Sequence, residues 1–180
     1  MKKPNWSNCT EEELWKYVAT HLTKNGIDTV LVGGAVVAIY TEGAYRSGDL
    51  DFVLLNYINT KLPEVMAEIG FKVTHSRHYS HPKCKHIIID FVTGPPGIGD
   101  DYKIKPAEIK SEERIIKIYS PTDCIRDRLA SYIYFKAREC LEQAVMVGKK
   151  LRFDKTKVKK WCTKEGAIDA FNEFNAALDE

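Results

Sequence analysis

The sequence predicts an α+β (α/β) protein, one compact unit of strands and helices with a helical region at its C-terminal end. Strand-like and helix-like patterns alternate up to residue 119, and the patterns after it are helical. The 180 residues, 44% of them hydrophobic, are enough for an ordinary core. We therefore expect an α/β domain at residues 1–119 and a helical region at residues 120–180 that packs on it.

The first elements are a helix, a strand and a second helix. Thr10 and Glu13 have the spacing of a capping box, and apolar residues then recur at helical spacing before Gly26. Residues 29–32 are apolar and β-branched, and they lead into Gly33-Gly34 and a run of small apolar residues. A strand, a glycine turn and a helix in this order leave free backbone N–H groups at the helix start, which favour phosphate.

Two strands with alternating polar and apolar residues follow along the chain. Residues 49–54 form one and residues 86–92 the other, each with an apolar face for the core. Between them we expect a helix at residues 62–69, a short strand at residues 71–73 and a polar loop through Pro82.

The remaining patterns predict a loop, a strand and helices. Residues 94–99 consist mainly of glycine and proline, which is typical of a loop. Residues 114–119 predict a further strand. Ser120, with proline after it, is typical of a helix start, and Gly148 and Gly166 are the predicted breaks in the helices that follow.

Composition argues against several classes of protein. No apolar run approaches the ~20 residues of a membrane span, and the first residues lack the apolar stretch of a signal peptide, so we expect a cytoplasmic protein without a membrane partner. The net charge of +2 is too small to indicate a nucleic-acid binder. The cysteines are scattered without a Cys-x-x-Cys pair, so we expect reduced thiols rather than a disulfide framework or a zinc ribbon: Cys9, Cys84, Cys124, Cys140 and Cys162.

Three aspartates form the candidate metal site. Asp49 and Asp51 are two residues apart in one strand, so their side chains point to the same face. Asp90 joins them if its strand is the neighbour and the two apolar faces align. Carboxylates crowded in this way need a cation or a raised pKa, and hard oxygen ligands favour Mg²⁺ or Mn²⁺.

The glycine turn and the acidic strand together resemble the signature of the nucleotidyltransferase superfamily of the polymerase-β type. Val32-Gly33-Gly34 is similar to its hydrophobic-Gly-Gly element, residues 49–52 to its acid-hydrophobic-acid-hydrophobic element, and Asp90 to its third carboxylate on a later strand. Other stretches resemble a little-characterised group of bacterial nucleotidyltransferase-like proteins, and the likeness covers roughly residues 28–147: 45–52, 81–82, 94–100, 120–124, 127–130 and 141–144.

The resemblance implies a mixed sheet flanked by helices and an enzyme that transfers a nucleoside monophosphate from ATP or another NTP to a hydroxyl group. The acceptor would be RNA (including tRNA), a protein or a small molecule, since relatives include antibiotic-modifying enzymes and toxin or antitoxin components. Two Mg²⁺ or Mn²⁺ ions would assist in-line attack on the α-phosphorus. The resemblance implies catalytic and metal-binding roles for Asp49, Asp51 and Asp90. The candidate nucleotide-binding residues are Gly33, Gly34, Arg46, Ser47, Arg128 and Lys136. Arg46 flanks the acids, and Arg128 or Lys136 on the later helix could reach phosphate or acceptor, or be solvated or paired with a neighbour such as Asp127.

One residue departs from the family pattern. Many active members have serine after the first glycine, where this chain has Gly34, and Ser47 is the candidate replacement. The departure keeps a second hypothesis open, a non-catalytic relative that acts as an antitoxin or a nucleotide-binding partner. A third hypothesis is a metal-dependent nuclease, which could use the same carboxylates without the glycine turn.

A second group of metal-binding residue types precedes and enters the second alternating strand. Its spacing matches no closed zinc site, and Pro82 interrupts any helix there. Zinc binding, a basic loop that faces the substrate and plain surface are the three interpretations of this group: His75, His78, His81, Cys84 and His86.

Overall fold

The computed structural model describes residues 2–55 and 61–180. Within these residues it has seven strands and seven helices. The strands are β1 (Thr29–Val32), β2 (Asp49–Leu54), β3 (Lys72–His75), β4 (His78–His81), β5 (Cys84–Thr93), β6 (Ala107–Ser111) and β7 (Arg114–Ile118). The helices are α1 (Glu11–Lys24), α2 (Gly34–Tyr40), α3 (Leu62–Glu68), α4 (Pro121–Phe135), α5 (Arg138–Lys150), α6 (Lys155–Lys164) and α7 (Ile168–Asp179).

The strands form one mixed sheet in the order β3-β4-β5-β2-β1-β7-β6. In its centre, β2 lies between β5, to which it is parallel, and β1, to which it is antiparallel. β1 is also parallel to β7, and the pairs towards both edges are antiparallel. A mixed sheet accompanied by helices confirms the predicted fold class.

The apolar face of the two alternating strands is buried, as their pattern predicts. Phe52 of β2 is paired with Phe91 of β5, and their stacked rings have centroids 5.5 Å apart. Leu50 and Ile89 are paired in the same way and fully buried. Each of these side chains contributes roughly 1.5–3 kcal/mol by leaving water. The register that they favour turns the alternate residues, Asp51 among them, to the opposite face of the sheet.

Helices α1 and α4 begin where the sequence predicts. Thr10 Oγ1 accepts a hydrogen bond from the Glu13 amide at 3.2 Å, and Glu13 Oε2 accepts one from the Thr10 amide at 2.9 Å. At α4, Ser120 Oγ accepts a hydrogen bond from the Asp123 amide at 3.1 Å, with Pro121 at the first helical position. Each cap satisfies an amide that the helix itself cannot, which is typically worth about 1 kcal/mol.

The polar loop predicted through Pro82 is wrong, because that segment forms a hairpin and a second pairing with the sheet. β3 and β4 are antiparallel and are joined through Ser76, which has a φ of +49°. β4 reads His-Tyr-Ser-His, so it shows no alternation of apolar and polar residues, although Tyr79 is buried. The prediction also missed β6, an edge strand of partly or fully exposed residues that pairs with β7.

Gly148 does not break a helix, so that prediction is also wrong. It lies within α5, where a Cβ atom would be 2.8 Å from Leu178 Cδ2 and 3.2 Å from Phe174 Cζ of α7. The glycine therefore serves the close packing of two helices. The break predicted at Gly166 is confirmed, since this residue lies between α6 and α7 with a φ of +68°.

The last four helices pack against the part of the chain that carries the sheet. Helix α5 contacts both α2 and α4, and one hydrophobic cluster contains residues from the sheet and from these helices. A division of the chain into domains at residue 119 stays a prediction. In the ranges that the structure describes, no helix combines the length and the apolar character needed to cross a membrane.

Candidate active site

Strand pairing brings the three predicted aspartates together. β2 and β5 are parallel neighbours, and Asp51 is paired with Asp90. Paired residues on adjacent strands are roughly 4.8 Å apart at Cα and point to the same face. Asp49, two residues earlier on β2, projects from that face as well. The predicted site needs these two strands to be neighbours, which the sequence alone does not establish. In the structure they are neighbours.

Asp51 lies at the centre of this group and is largely buried. Burial, with the charges of Asp49 and Asp90 adding to it, raises the pKa of its carboxyl group to about 7. Arg128 opposes this shift, so its guanidinium group is close enough to act on the same carboxyl group. Without a cation the site therefore carries an unfavourable concentration of negative charge.

Asp90 is 7% exposed, and two basic side chains of the β3–β4 hairpin lie next to it. Arg77 Nε is 3.1 Å and His78 Nδ1 is 3.6 Å from Asp90 Oδ1. Neither approach has hydrogen-bond geometry, and within the described residues this buried oxygen accepts no hydrogen bond. Sequence reasoning missed Arg77 as a site residue because it placed it in a loop without a known neighbour.

Gly33 permits the backbone to approach the carboxylates. Its φ of +76° is one that side chains disfavour, and a Cβ atom there would collide with Asp51 Oδ2. Val32 of β1 is paired with Asp51 of β2. The turn at Gly33 therefore begins directly after the residue that faces Asp51. The glycine predicted from the motif is therefore required by both its dihedral angle and its contact.

Ser47 occupies the space beside Gly34. A Cβ atom on Gly34 would lie 3.0 Å from Ser47 Oγ. The Ser47 hydroxyl donates a hydrogen bond to Asp49 Oδ1 at 2.8 Å, so it orients the first aspartate. A hydroxyl group thus lies 3.0 Å from where a side chain at position 34 would begin, although it comes from a different part of the chain.

Glu11 supports this arrangement from the first turn of α1. It is 2% exposed, and its Oε1 accepts hydrogen bonds from the Ser47 amide at 2.8 Å and from Arg46 Nε at 3.0 Å. Sequence reasoning missed Glu11, because an acid in the first helical turn is common and its partners are 35 and 36 residues away. Arg46 is thereby tied to Glu11, while its side chain stays 55% exposed.

The two predicted basic residues of the helical region lie in different places. Arg128 is mostly buried and forms an ion pair with Asp127, with Nη2 and Oδ2 2.6 Å apart. Lys136 is exposed at the C-terminal end of α4, where it has a φ of +58°. A helix rises about 1.5 Å per residue, so Lys136 is roughly 12 Å further along the axis than Arg128. The positive charge of Arg128 acts on the Asp51 carboxyl group, and Lys136 lies about two helical turns beyond Arg128.

A cavity of about 290 Å³ adjoins the carboxylates. Val53 and Val92, each two residues beyond an aspartate on its strand, form part of its wall, together with Tyr119, Asp127 and the loop that contains Gly97. Its volume is close to the lower end of the range for small-molecule sites, and its walls are mainly apolar.

The loop that closes this cavity is held by the helical region. Arg126 is 1% exposed, and its Nη2 lies 2.5 Å from Asp101 Oδ2 in that loop, while its Nη1 lies 2.8 Å from Asp123 Oδ1 of α4. Trp161 Nε1 donates a hydrogen bond to the Ile98 carbonyl oxygen at 3.2 Å. A glycine- and proline-rich segment thereby gains a defined position.

The structure divides the histidine-rich group among separate surroundings. His78 lies against Asp90. His81 is buried and stacks on Trp6 with ring centroids 3.9 Å apart, and burial lowers its pKa. His86 lies elsewhere on β5, beside two thiol groups.

Comparison with known proteins agrees with this geometry. Residues 11–91, which include the glycine turn and all three aspartates, match the family described as "Nucleotidyl transferase of unknown function (DUF2204)". The likeness to nucleotidyltransferases thus covers the segment that carries the candidate site. No curated protein matches this nucleotidyltransferase-like chain.

Solved nucleotidyltransferase structures share its fold over nearly the whole chain. An antigenic nucleotidyltransferase-like protein from Paracoccidioides brasiliensis has a TM-score of 0.62 at 14% identity, covering 96% of this chain and 94% of that one. The solution structure of the antibiotic-resistance factor ANT(2'')-Ia gives 0.55 at 14% identity, with 94% of each chain covered. ANT(2'')-Ia in complex with adenylyl-2''-tobramycin gives 0.52 at 11% identity, with 91% of this chain and 95% of that one covered.

Proposed function

We propose that the chain is an enzyme that transfers a nucleoside monophosphate from an NTP to a hydroxyl group of an acceptor. The register of β2 and β5 is the observation that supports this most, because it pairs Asp51 with Asp90 and leaves Asp49 on the same face. The match of residues 11–91 to a family described as nucleotidyl transferase supports the type of reaction. The proposed location of the reaction is the cytoplasm.

The donor set fits hard divalent cations, Mg²⁺ or Mn²⁺. The three side chains are all carboxylates, the buried Asp90 Oδ1 accepts no hydrogen bond from the described residues, and the other acids help to raise the pKa of Asp51. Asp49, Asp51 and Asp90 would hold the cations. When bound, these would supply positive charge for the α-phosphate and lower the pKa of the attacking hydroxyl group.

In the proposed reaction the acceptor oxygen forms a bond to the α-phosphorus, and the bond from that phosphorus to the bridging oxygen breaks. Pyrophosphate leaves with the electron pair of the broken bond. Asp90 accepts the proton of the acceptor hydroxyl group. Arg77, which is 55% exposed, can move into solvent when its partner carboxylate takes on this role.

The phosphates are proposed to lie at the glycine turn. Gly33 and Gly34 keep the space beside Asp51 and Ser47 clear of side chains. Arg128 supplies positive charge on this side, as its effect on Asp51 indicates. Arg46 has an exposed side chain next to the same turn and is proposed as a second phosphate contact.

Ser47 is proposed to replace the serine that many active relatives carry after the first glycine. Its hydroxyl group is 3.0 Å from the position of a Cβ atom on Gly34 and already holds Asp49 through a hydrogen bond of 2.8 Å. A serine at position 34 would therefore compete with Ser47 for the same volume. This arrangement favours an active enzyme over a non-catalytic antitoxin or nucleotide-binding partner.

The cavity beside the carboxylates is proposed to receive the base of the NTP. Its walls are formed by Val53, Val92 and the ring of Tyr119, and a flat aromatic base suits such apolar surroundings. Asp127, at the edge of the cavity, offers a hydrogen-bond acceptor for an amino group of the base.

The acceptor is proposed to be RNA, a protein or a small molecule. The fold shared with ANT(2'')-Ia, solved in complex with adenylyl-2''-tobramycin, makes an amino-sugar hydroxyl group one acceptor to test. Lys136, roughly 12 Å along α4 from Arg128, can contact only an acceptor large enough to reach that far, such as RNA or protein.

The decisive experiment follows label from an NTP into an acceptor. The protein is incubated with Mg²⁺ and each α-³²P-labelled NTP, together with total RNA, cell lysate protein or an aminoglycoside in separate reactions. We expect label in one acceptor class and release of pyrophosphate. Asp49→Asn should reduce transfer by at least about a hundredfold, because a charge-stabilising group at the reacting phosphate is lost.

Asp28→Asn is the matched control, since Asp28 is a half-exposed acid that pairs with Lys117. It should leave transfer unchanged. Absence of transfer with all acceptors, or equal transfer by Asp49→Asn, would contradict the enzymatic assignment. Nucleotide binding without transfer would support the non-catalytic hypothesis, and a cleaved strand without pyrophosphate would support a nuclease.

A further inference from the structure

Two thiol groups and an imidazole meet away from the aspartates, at the start of the chain and the start of β5. Cys9 Sγ lies 3.8 Å from Cys84 Sγ, and Cys84 Sγ lies 3.9 Å from His86 Nδ1. The two sulfurs and a ring nitrogen of His86 lie within 4.8 Å of one another. Cys9 precedes α1 by one cap residue, so residues 75 positions apart supply the two sulfurs.

The hydrogen bond of His86 determines which of its nitrogens is free. His86 Nε2 lies 2.9 Å from the Cys9 carbonyl oxygen. A carbonyl oxygen only accepts, so Nε2 carries the proton and donates, and Nδ1 has a lone pair on the side of Cys84. Histidines that bind metals usually donate their other N–H to a carbonyl or carboxylate in this way.

The distances agree with the edges of a tetrahedron around one zinc-sized cation. Metal–sulfur bonds of ~2.3 Å and a metal–nitrogen bond of ~2.05 Å at tetrahedral angles give a sulfur–sulfur distance of ~3.8 Å and a sulfur–nitrogen distance of ~3.6 Å. The observed values are 3.8 Å and 3.9 Å. The sulfurs of a disulfide are ~2.05 Å apart, which is far shorter.

Because the two thiol groups are buried, thiolates bound to a cation are favoured there over thiolates without one. Cys9 and Cys84 are 0% and 1% exposed, while His86 is exposed. A divalent cation that binds here displaces the thiol protons, because thiolate is the form that binds a metal.

We propose that Cys9, Cys84 and His86 bind one divalent cation of the zinc class, with water as the fourth ligand. The ion fastens the segment before α1 to β5. That segment leads to Glu11, which accepts a hydrogen bond from the Ser47 amide, and β5 carries Asp90. The ion therefore stabilises two segments that position the proposed active site, without being part of that site. Thiolate and imidazole ligands distinguish this site from the carboxylates, which prefer Mg²⁺ or Mn²⁺.

Titration of the full chain with Co²⁺ under a non-chelating reductant tests the proposal. We expect one equivalent to produce the charge-transfer absorption of cobalt bound to thiolates, and Zn²⁺ to displace it. Cys9→Ser and Cys84→Ser should abolish this absorption. His86→Gln, at an exposed position, should weaken binding by more than about 100-fold, because loss of an outer partner alone costs ~10–100-fold.

Cys162→Ser and His75→Gln are the matched controls, a buried cysteine and an exposed histidine outside the cluster. Both should keep the absorption, as should Asp49→Asn, which separates this site from the aspartates. The proposal is overturned if cobalt binds without thiolate absorption, or if the absorption survives Cys84→Ser or His86→Gln unchanged. Failure of the fully reduced protein to bind cobalt, with Cys9 and Cys84 recovered as a disulfide after oxidation, would also overturn it and indicate a redox pair.

Discussion

Asp51→Asn should stabilise the metal-free protein at pH 8, and more so there than at pH 5. Burial, with Asp49 and Asp90 adding to it, raises the pKa of Asp51 from 3.8 to about 7 in the folded protein. Between these two values the folded state binds more protons than the unfolded state, so the free energy of unfolding falls as the pH rises. Above pH 7 the full cost of ionising the buried carboxyl group persists.

The magnitude follows from the shift. Each pKa unit corresponds to about 1.36 kcal/mol, so the two units between pH 5 and pH 7 correspond to about 3 kcal/mol. Asp51 is not fully buried, and water at its carboxylate reduces this to about 2 kcal/mol. Asparagine has no charge to desolvate, and the advantage of Asp51→Asn should therefore grow by about 2 kcal/mol from pH 5 to pH 8.

Urea denaturation with a chelator at both pH values measures this difference. Addition of Mg²⁺ at pH 8 should then stabilise the wild-type protein and leave Asp51→Asn nearly unchanged, since a bound cation removes the repulsion. Asp28→Asn, at a half-exposed acid, should change stability by less than about 0.5 kcal/mol at either pH. The reasoning is refuted if Asp51→Asn is no more stable than the wild type at pH 8, or if its advantage is the same at both pH values.

Four further substitutions, two of them combined, test the residues that support the site. Gly33→Ala should destabilise the protein by about 2 kcal/mol or more and abolish transfer, because φ is +76° and the new Cβ atom collides with Asp51. Thermal unfolding measures the loss of stability, and the label-transfer assay measures the loss of activity. Ser47→Ala should lower kcat by about tenfold. Adding Gly34→Ser to this variant should restore part of the rate, since removal of the Ser47 hydroxyl group makes room for the new side chain. If the double variant is no faster than Ser47→Ala, the Ser47 hydroxyl group does not replace a serine at position 34. Arg126→Met should cost about 3 kcal/mol in urea denaturation, because it removes the buried partner of Asp101 and Asp123, while Lys157 stays 3.0 Å from Asp123 Oδ1. A cost below about 1 kcal/mol would contradict this.

Local patterns predicted most of the central strands and the glycine turn. The alternation at residues 49–54 and 86–92 specifies which face is buried, and Gly33 could be recognised from its place between a strand and a helix. The pairing of Asp51 with Asp90 could not be derived in this way, because it depends on which strands are neighbours in the sheet. The alternation of side chains along a strand indicates only which face of the sheet each residue occupies.

Contacts between distant segments account for what sequence reasoning missed. Glu11 accepts a hydrogen bond from the amide of Ser47, 36 residues away, and no local sequence pattern around either residue predicts this contact. Cys9 and Cys84 meet at 3.8 Å although their spacing in the sequence resembles no metal motif. The hairpin that brings Arg77 to Asp90 is rich in polar residues, so its strands lack the apolar alternation on which the prediction relied.

The three aspartates are proposed to form one site for divalent cations beside a bound nucleotide. Electron paramagnetic resonance of Mn²⁺, titrated with and without an NTP analogue whose α,β-bond cannot be cleaved, tests it most directly. We expect binding that tightens when the analogue is present and that is lost or greatly weakened in Asp51→Asn and Asp90→Asn alike. Wild-type affinity in both variants, with the analogue present, would contradict the claim.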